Sequence, residues 1–324
     1  MFLDFAQLRQ RANQSLEHAH KPGRVILLHT GIVMLVSLIL TALNYLLDQQ
    51  ISTTGGLSGM GTRSILTTIQ NLFLLAQMIL VPFWESGYTY YALRVAKGES
   101  KGFADLPEGF RRFAPLLRLK FLMLLMMGIL IFVCSYATSF IFMLTPWATP
   151  MMEKIELISY TAMSEEAILE ATALMIQDAI LPILLIFGLC LLVGSFLLFF
   201  RFRFAEMWLL DHPNGRAREA LRNSKKCMQY RWKAMFRIDL RFWWFYLLEL
   251  LVTFLGYGDL ILDSVGIEMT TGAFGTYLIF TFLYIWAQMA LYWWRRNQVS
   301  VTYAHAYLDL CPEEIPQEEE PATI

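Results

Sequence analysis

The chain has 324 residues, 56% of them apolar and 15% aromatic, and 26 Lys and Arg against 27 Asp and Glu leave a net charge of −1. That length would fit two soluble domains, but no stretch between the apolar runs exceeds about 40 residues, too short for a separate core. The composition excludes an ordinary soluble globular protein and predicts an all-α, polytopic membrane protein with short appendages.

In chain order, residues 1–24 come first as a cytoplasmic amphipathic segment. Phe5, Leu8, Ala12, Leu16 and Ala19 recur at helical spacing, with Arg9, Arg11 and Glu17 off that face. Six apolar segments follow at 25–47, 65–92, 121–145, 179–200, 242–262 and 273–294. Each has about 20 residues or more, enough for a helix to cross a hydrocarbon core about 30 Å thick. The first is too long for a signal peptide, and no small-x-small cleavage site follows Leu47, so it reads as an uncleaved anchor.

The loop 94–120 predicts a second amphipathic helix after Asp105 as N-cap, carrying Phe103, Leu106, Phe110, Phe113 and Leu117 on one face. Pro107 fits its first turn and Pro115 marks a kink. Between Trp147 and Asp178 stand Glu153, Glu156, Glu165, Glu166, Glu170 and Asp178, a solvated acidic face without metal-ligand spacing. Ser164 followed by Glu165 and Glu166 predicts a helix over 165–177 that runs into the fourth span, kinked at Pro182.

In the loop 201–241, Asp211 to Gly215 reads as a turn. A third amphipathic helix then runs from Ala217 through Leu221, Ser224 and Met228 to Trp232. An amphipathic helix followed by two spans thus occurs three times, the pattern of a three-hairpin repeat, which loop–helix–membrane geometry alone also generates. The domains read as 1–24, a six-helix transmembrane domain 25–310, and a disordered acidic tail 311–324, where Pro312–Ile324 holds five Glu and three Pro.

Basic residues orient the bundle. Four lie in 1–24, seven in Arg94–Lys120, eleven in Arg201–Arg241 and two at Arg295 and Arg296. The remaining connections hold only Arg63 and Lys154, so both termini are expected inside a bacterial cytoplasmic membrane. The four cysteines set no framework: Cys134 and Cys190 fall in spans, Cys227 and Cys311 on the expected inner side, and no CxxC pair occurs.

Ionisable groups inside spans are the first candidate site, since a charge at the bilayer centre costs roughly 2.5–3.5 kcal/mol on insertion scales. Glu85 lies nine residues before Arg94 and Glu249 eight after Arg241, which places both roughly 12–14 Å from those boundary markers. Gln288 reaches a similar depth, and His29 lies five residues past Arg24. Tyr277, Thr281, Tyr284, Gln288 and Tyr292 form one polar stripe, and Tyr246, Glu249, Thr253 and Gly256 another. Either the cluster Glu85, Glu249, Gln288 and His29 builds a cytoplasm-open cavity, or it ties helices together by hydrogen bonds.

The second candidate is the basic run Arg216, Arg218, Arg222, Lys225, Lys226, Arg231 and Lys233, facing one acid, Glu219. It suits anionic inner-leaflet head groups or an unknown protein partner, and topology alone also selects it. Nucleic acid is not expected without a fold to present the charge. Trp243 to Tyr246 and Tyr292 to Trp294 read as an interfacial aromatic belt. HExxH, GxSxG and phosphate-loop signatures are absent, and His18-x-His20 is a lone pair, so neither an enzyme nor a cofactor or metal is expected.

The closing run Thr302-x-Ala304-x-Ala306-Tyr307-x-x-Leu310, the segment Phe236 to Trp244 after Ser224, and Gly87 through Phe113 resemble an uncharacterised family of multi-pass membrane proteins of Firmicutes. Some of its members look distantly like the membrane domain attached to glycerophosphodiester phosphodiesterases, whose soluble catalytic domain has no counterpart here. The usual Gly before the family's Trp is missing, and Ala stands where Phe is usual near the end. The resemblance implies a bacterial cytoplasmic-membrane location and no assigned reaction. Together these features point first to a non-enzymatic membrane component that docks a partner or lipids on its cytoplasmic face. The alternative is a small transporter or export accessory using the inner polar cluster, and a lipid-modifying intramembrane enzyme comes third.

Overall fold

The computed structural model describes residues 4–53, 60–146, 148–149, 153, 165–229, 231–258 and 272–311. The expected disordered stretch 312–324, residues 154–164 of the acidic loop and 259–262 of the fifth span lie outside them, as do the side chains of 165–179.

Every element among the described residues is helical. They are α1 (Phe5–His18), α2 (Pro22–Thr53), α3 (Met60–Lys97), α4 (Glu108–Arg111), α5 (Phe113–Met143), α6 (Glu165–Phe202) and α7 (Ala205–Asp211). Then come α8 (Ala217–Met228), α9 (Trp232–Arg241), α10 (Trp243–Gly256), α11 (Gly272–Leu291), a π-helical turn (Tyr292–Arg296) and α12 (Asn297–Leu310). Among the described residues, four stretches are long and apolar enough to cross a membrane: Pro22–Leu40, Ser64–Lys97, Phe113–Met143 and Ile180–Asp211. The helix over 165–177 and the fourth expected span are one continuous helix, α6, which passes through Pro182.

The chain divides into two compact units, residues 117–203 and the rest. Within 117–203, Phe142 and Ala148 are buried, with Ile183 and Ile186 packed against them. Gly194 admits Leu130 so closely that a Cβ there would lie 2.4 Å from Leu130 Cδ1. Small residues at such contacts let apolar helices meet where no hydrophobic drive separates protein from lipid.

The larger unit holds α2 along α3, α10 along α11, and a core around α12. Ten of the fourteen α12 residues are buried, among them Val301, Ala304, Ala306 and Tyr307. Leu8 and Ala12 of α1 are fully buried, Arg11 forms a two-pronged ion pair with Asp309, and Ser15 Oγ lies 3.0 Å from His305 Nε2. Phe204 packs on Tyr307 at 5.6 Å. Tyr303 Oη donates to Asp239 at 2.5 Å, and Lys97 pairs with Asp211 at 2.5 Å. Arg231 donates to the Leu310 carbonyl at 2.5 Å. The charge-rich segments therefore share one core around α12, in place of the short appendages expected from their individual lengths.

Local structure departs from expectation at three places. The stretch 103–117 does not form one helix. A 3-10 turn at Gly102–Asp105 and the single turn α4 intervene, and Asp105, 4% exposed, accepts from Lys101 N at 2.7 Å in place of capping a longer helix. The third helix stops at Met228 and a separate one begins at Trp232. The amphipathic stretch of the first unit is thus one helix, α1, whereas those of the second and third are broken. Finally, Cys227 and Cys311 form a disulfide with Cα atoms 5.3 Å apart, tying α8 to the residue that follows α12.

Candidate functional site

Arg296 closes the π-helical turn between α11 and α12. Such turns carry an extra residue in the helix and shift the face a side chain presents. From there the guanidinium reaches α3 and forms an ion pair with Glu85. It lies 4.1 Å from the Tyr292 ring centroid and 4.9 Å from that of Tyr88. A cation against two rings and a carboxylate is well compensated for its burial.

His29 of α2, fully buried, sets Nε2 3.4 Å from Glu85 Oε1, and neither ring nitrogen completes a hydrogen bond among the described residues. Its ring stacks on Tyr88 at 4.7 Å and Trp84 at 5.9 Å, and Trp84 Nε1 donates to the His29 carbonyl at 3.2 Å. Tyr88 Oη in turn donates to Asn297 Oδ1 at 2.6 Å, and Asn297 Nδ2 to the Pro22 carbonyl at 3.0 Å. Four segments are thus held in register around one carboxylate.

These groups stand at the side of a cavity of about 690 Å³ between α2, α3, α10 and α11. Glu85, Arg296, Gln288, Thr30, Tyr284 and Tyr292 are among its lining residues. Three polar atoms of these lining residues are buried without a hydrogen-bond partner among the described residues: Gln288 Oε1, Thr30 Oγ1 and Arg296 Nη1. Gln288 is 4% exposed and Thr30 2%. Leaving a buried polar atom without a partner costs roughly 1–3 kcal/mol.

Of the four expected residues, Glu85 and His29 meet directly, and Gln288 lines the same cavity. Glu249 stands one step removed, accepting from Tyr292 Oη at 2.7 Å. Arg296 was missed because it sits among flanking cations. Its signal was present: continuing the stripe Thr281, Tyr284, Gln288, Tyr292 by four more residues reaches it.

The basic run lies elsewhere. Arg216, Arg218, Arg222, Lys225, Lys226, Arg231 and Lys233 are all exposed, while Ala217, Ala220, Ser224 and Met228 of the same region are buried. None of these cations lines the cavity. Across all three comparisons, no family model, curated protein or solved structure matches the chain. Chemistry at the cavity therefore carries the functional reading.

Proposed function

We propose that the chain is a six-span integral membrane protein of the bacterial cytoplasmic membrane, with both termini inside, that binds a small solute in the cavity beside Glu85 and Arg296. Its role would be that of a carrier or an accessory to export. The observation that carries this reading is a cavity of about 690 Å³ whose walls include Glu85, Arg296, Gln288 and Thr30, the last three each holding a polar atom buried without a partner among the described residues. Ligand pockets commonly span about 300–1,000 Å³ and pair apolar walls with a few convergent polar groups. Val33, Met34, Val81 and Ile285 supply such walls here.

The fifth and sixth spans are the segments containing α10 and α11, both apolar. Placing 24 of 26 cations inside supports the orientation. Against it stands the Cys227–Cys311 bond, since reducing cytosol disfavours disulfides. Two dozen charges outweigh one pair. The docking reading keeps its own support, because α8 buries one face and exposes Arg218, Arg222, Lys225 and Lys226 on the other, as an amphipathic interfacial helix would. Membership in the Firmicutes family also stays a proposal, supported by the closing motif.

The test is thiol labelling in a background with Cys134, Cys190, Cys227 and Cys311 replaced by Ala. Gln288→Cys and Thr281→Cys should react with a small cationic methanethiosulfonate in inverted vesicles and stay unreacted in intact cells. Val25→Cys, in the packed core, is the unreactive control. Reaction no faster than the control in either preparation would mean a dry centre and end the solute-binding reading. Reaction from the outside alone would reverse the orientation.

A further inference from the structure

A second cavity, of about 470 Å³, adjoins the first: Leu38, Thr281 and Ile285 line both. Its other walls are Ile279, Phe282 and Leu283, so Thr281 is its one polar lining residue among those described. Leu38, Ile279, Phe282 and Leu283 are each between 39% and 62% exposed, so this groove opens on the outer surface of α2 and α11. One continuous wall thus runs from a buried ion pair to an exposed apolar trough.

We propose that the two cavities together bind one lipid amphiphile, with a zwitterionic phosphate-ester head group beside Arg296 and Gln288 and an acyl chain in the Leu38–Phe282 groove. This rests on the solute-binding reading and narrows it to a substrate class. The polar end selects the head group. Arg296 Nη1 is a donor that needs an acceptor, which a phosphate oxygen supplies, and Gln288 Oε1 is an acceptor that needs a donor. Thr30 Oγ1 serves either partner.

Charge count selects the zwitterion over a net anion. Arg296 is already matched by Glu85, and Glu249 adds a further carboxylate through Tyr292. A net anion would meet no surplus positive charge, whereas a phosphate paired with its own ammonium brings none of its own. A trimethylated ammonium lacks the N–H that Gln288 requires. Phosphatidylethanolamine carries both groups and phosphatidylcholine does not, which makes this pair the discriminating probe.

The full chain is reconstituted in nanodiscs of equimolar phosphatidylethanolamine and phosphatidylcholine, extracted into detergent, stripped by washing, and assayed for retained lipid by native mass spectrometry. Wild type should retain phosphatidylethanolamine over phosphatidylcholine by about tenfold, the ratio one well-placed hydrogen bond supplies. Gln288→Leu should bring the two lipids level. Ile279→Trp, which fills the groove, should lower retention of both, with unchanged thermal stability showing that each variant folds. Equal retention of the two lipids in wild type and variants alike would identify annular lipid only and overturn the proposal. Displacement by soluble glycerophosphoethanolamine at the same concentration as the lipid would overturn the acyl-chain half and leave a soluble solute. Failure of thiol labelling at Gln288→Cys would sink both readings at once.

Discussion

A histidine buried in neutral form makes a protein sensitive to acid, and His305 is such a residue. It is 8% exposed in α12, within reach of Ser15 Oγ, and burial together with the nearby Arg11 guanidinium holds its pKa below the ordinary 6.5 despite the opposing pull of Asp309. The unfolded chain therefore binds this proton first as pH falls. The stability that His305 contributes is complete above pH 6.5, is lost as pH drops from there through the lower folded value, and is level below it. We expect the thermal midpoint of the detergent-solubilised protein to fall between pH 7.5 and 5, and His305→Gln, which keeps a partner for Ser15, to flatten that fall. An unaltered slope in the variant would assign the acid sensitivity to other groups. At this scale, depth within an apolar run was enough to single out Glu85, His29 and Gln288. Their partners were not legible: that Arg296 turns toward Glu85 depends on the π-helical turn, and that Glu249 reaches Tyr292 and not Glu85 depends on how α10 meets α11.

Helices meet most closely where a side chain is missing, and α3 meets α4 and the turn before it in that way. A Cβ on Gly87 would lie 1.8 Å from the Leu106 carbonyl oxygen, and one on Gly109 would lie 2.1 Å from that of Phe83. Backbone oxygens cannot swing aside as a flexible side chain can. Gly109→Ala should therefore lower stability by about 1–3 kcal/mol, the usual cost of overpacking. Gly31→Ala, where a Cβ would meet nothing within 4 Å, should be neutral or mildly stabilising in the same thermal-unfolding measurement. Equal behaviour of the two variants would mean that the α3–α4 contact is looser than described. These contacts explain why the amphipathic pattern at 103–117 misled: Leu106 and Gly109 are buried through the approach of two backbones, and that approach breaks the segment into a 3-10 turn and α4. The long apolar helices, by contrast, were readable from composition, because nothing but hydrocarbon or another apolar helix can cover them.

At the scale of the whole molecule, the apolar helices and their polar stripes follow from hydropathy, but the core around α12 does not. It is assembled from segments near residues 8–12, 91–106, 204–210, 217–245 and 299–310, each too short to bury anything alone. No window of sequence contains that core. The closing run of the family resemblance, Thr302, Ala304, Ala306, Tyr307 and Leu310, lies inside it at 6% exposure or less. Packing alone gives a reason for that pattern of small and aromatic residues.

Burial of α12 has a consequence for biosynthesis. Synthesis runs from N- to C-terminus, so α1 and the loops leave the ribosome before the helix they enclose, and Leu8, Tyr91 and Phe204 have no complete partner surface until residues 297–310 emerge. A stop codon in place of Asn297 should therefore leave every membrane helix inserted yet yield a chain that cellular proteases clear quickly, with wild-type half-life restored by co-expressing nothing less than the missing helix. Survival of the shortened chain at normal abundance would show that the segments around α12 are held together without it.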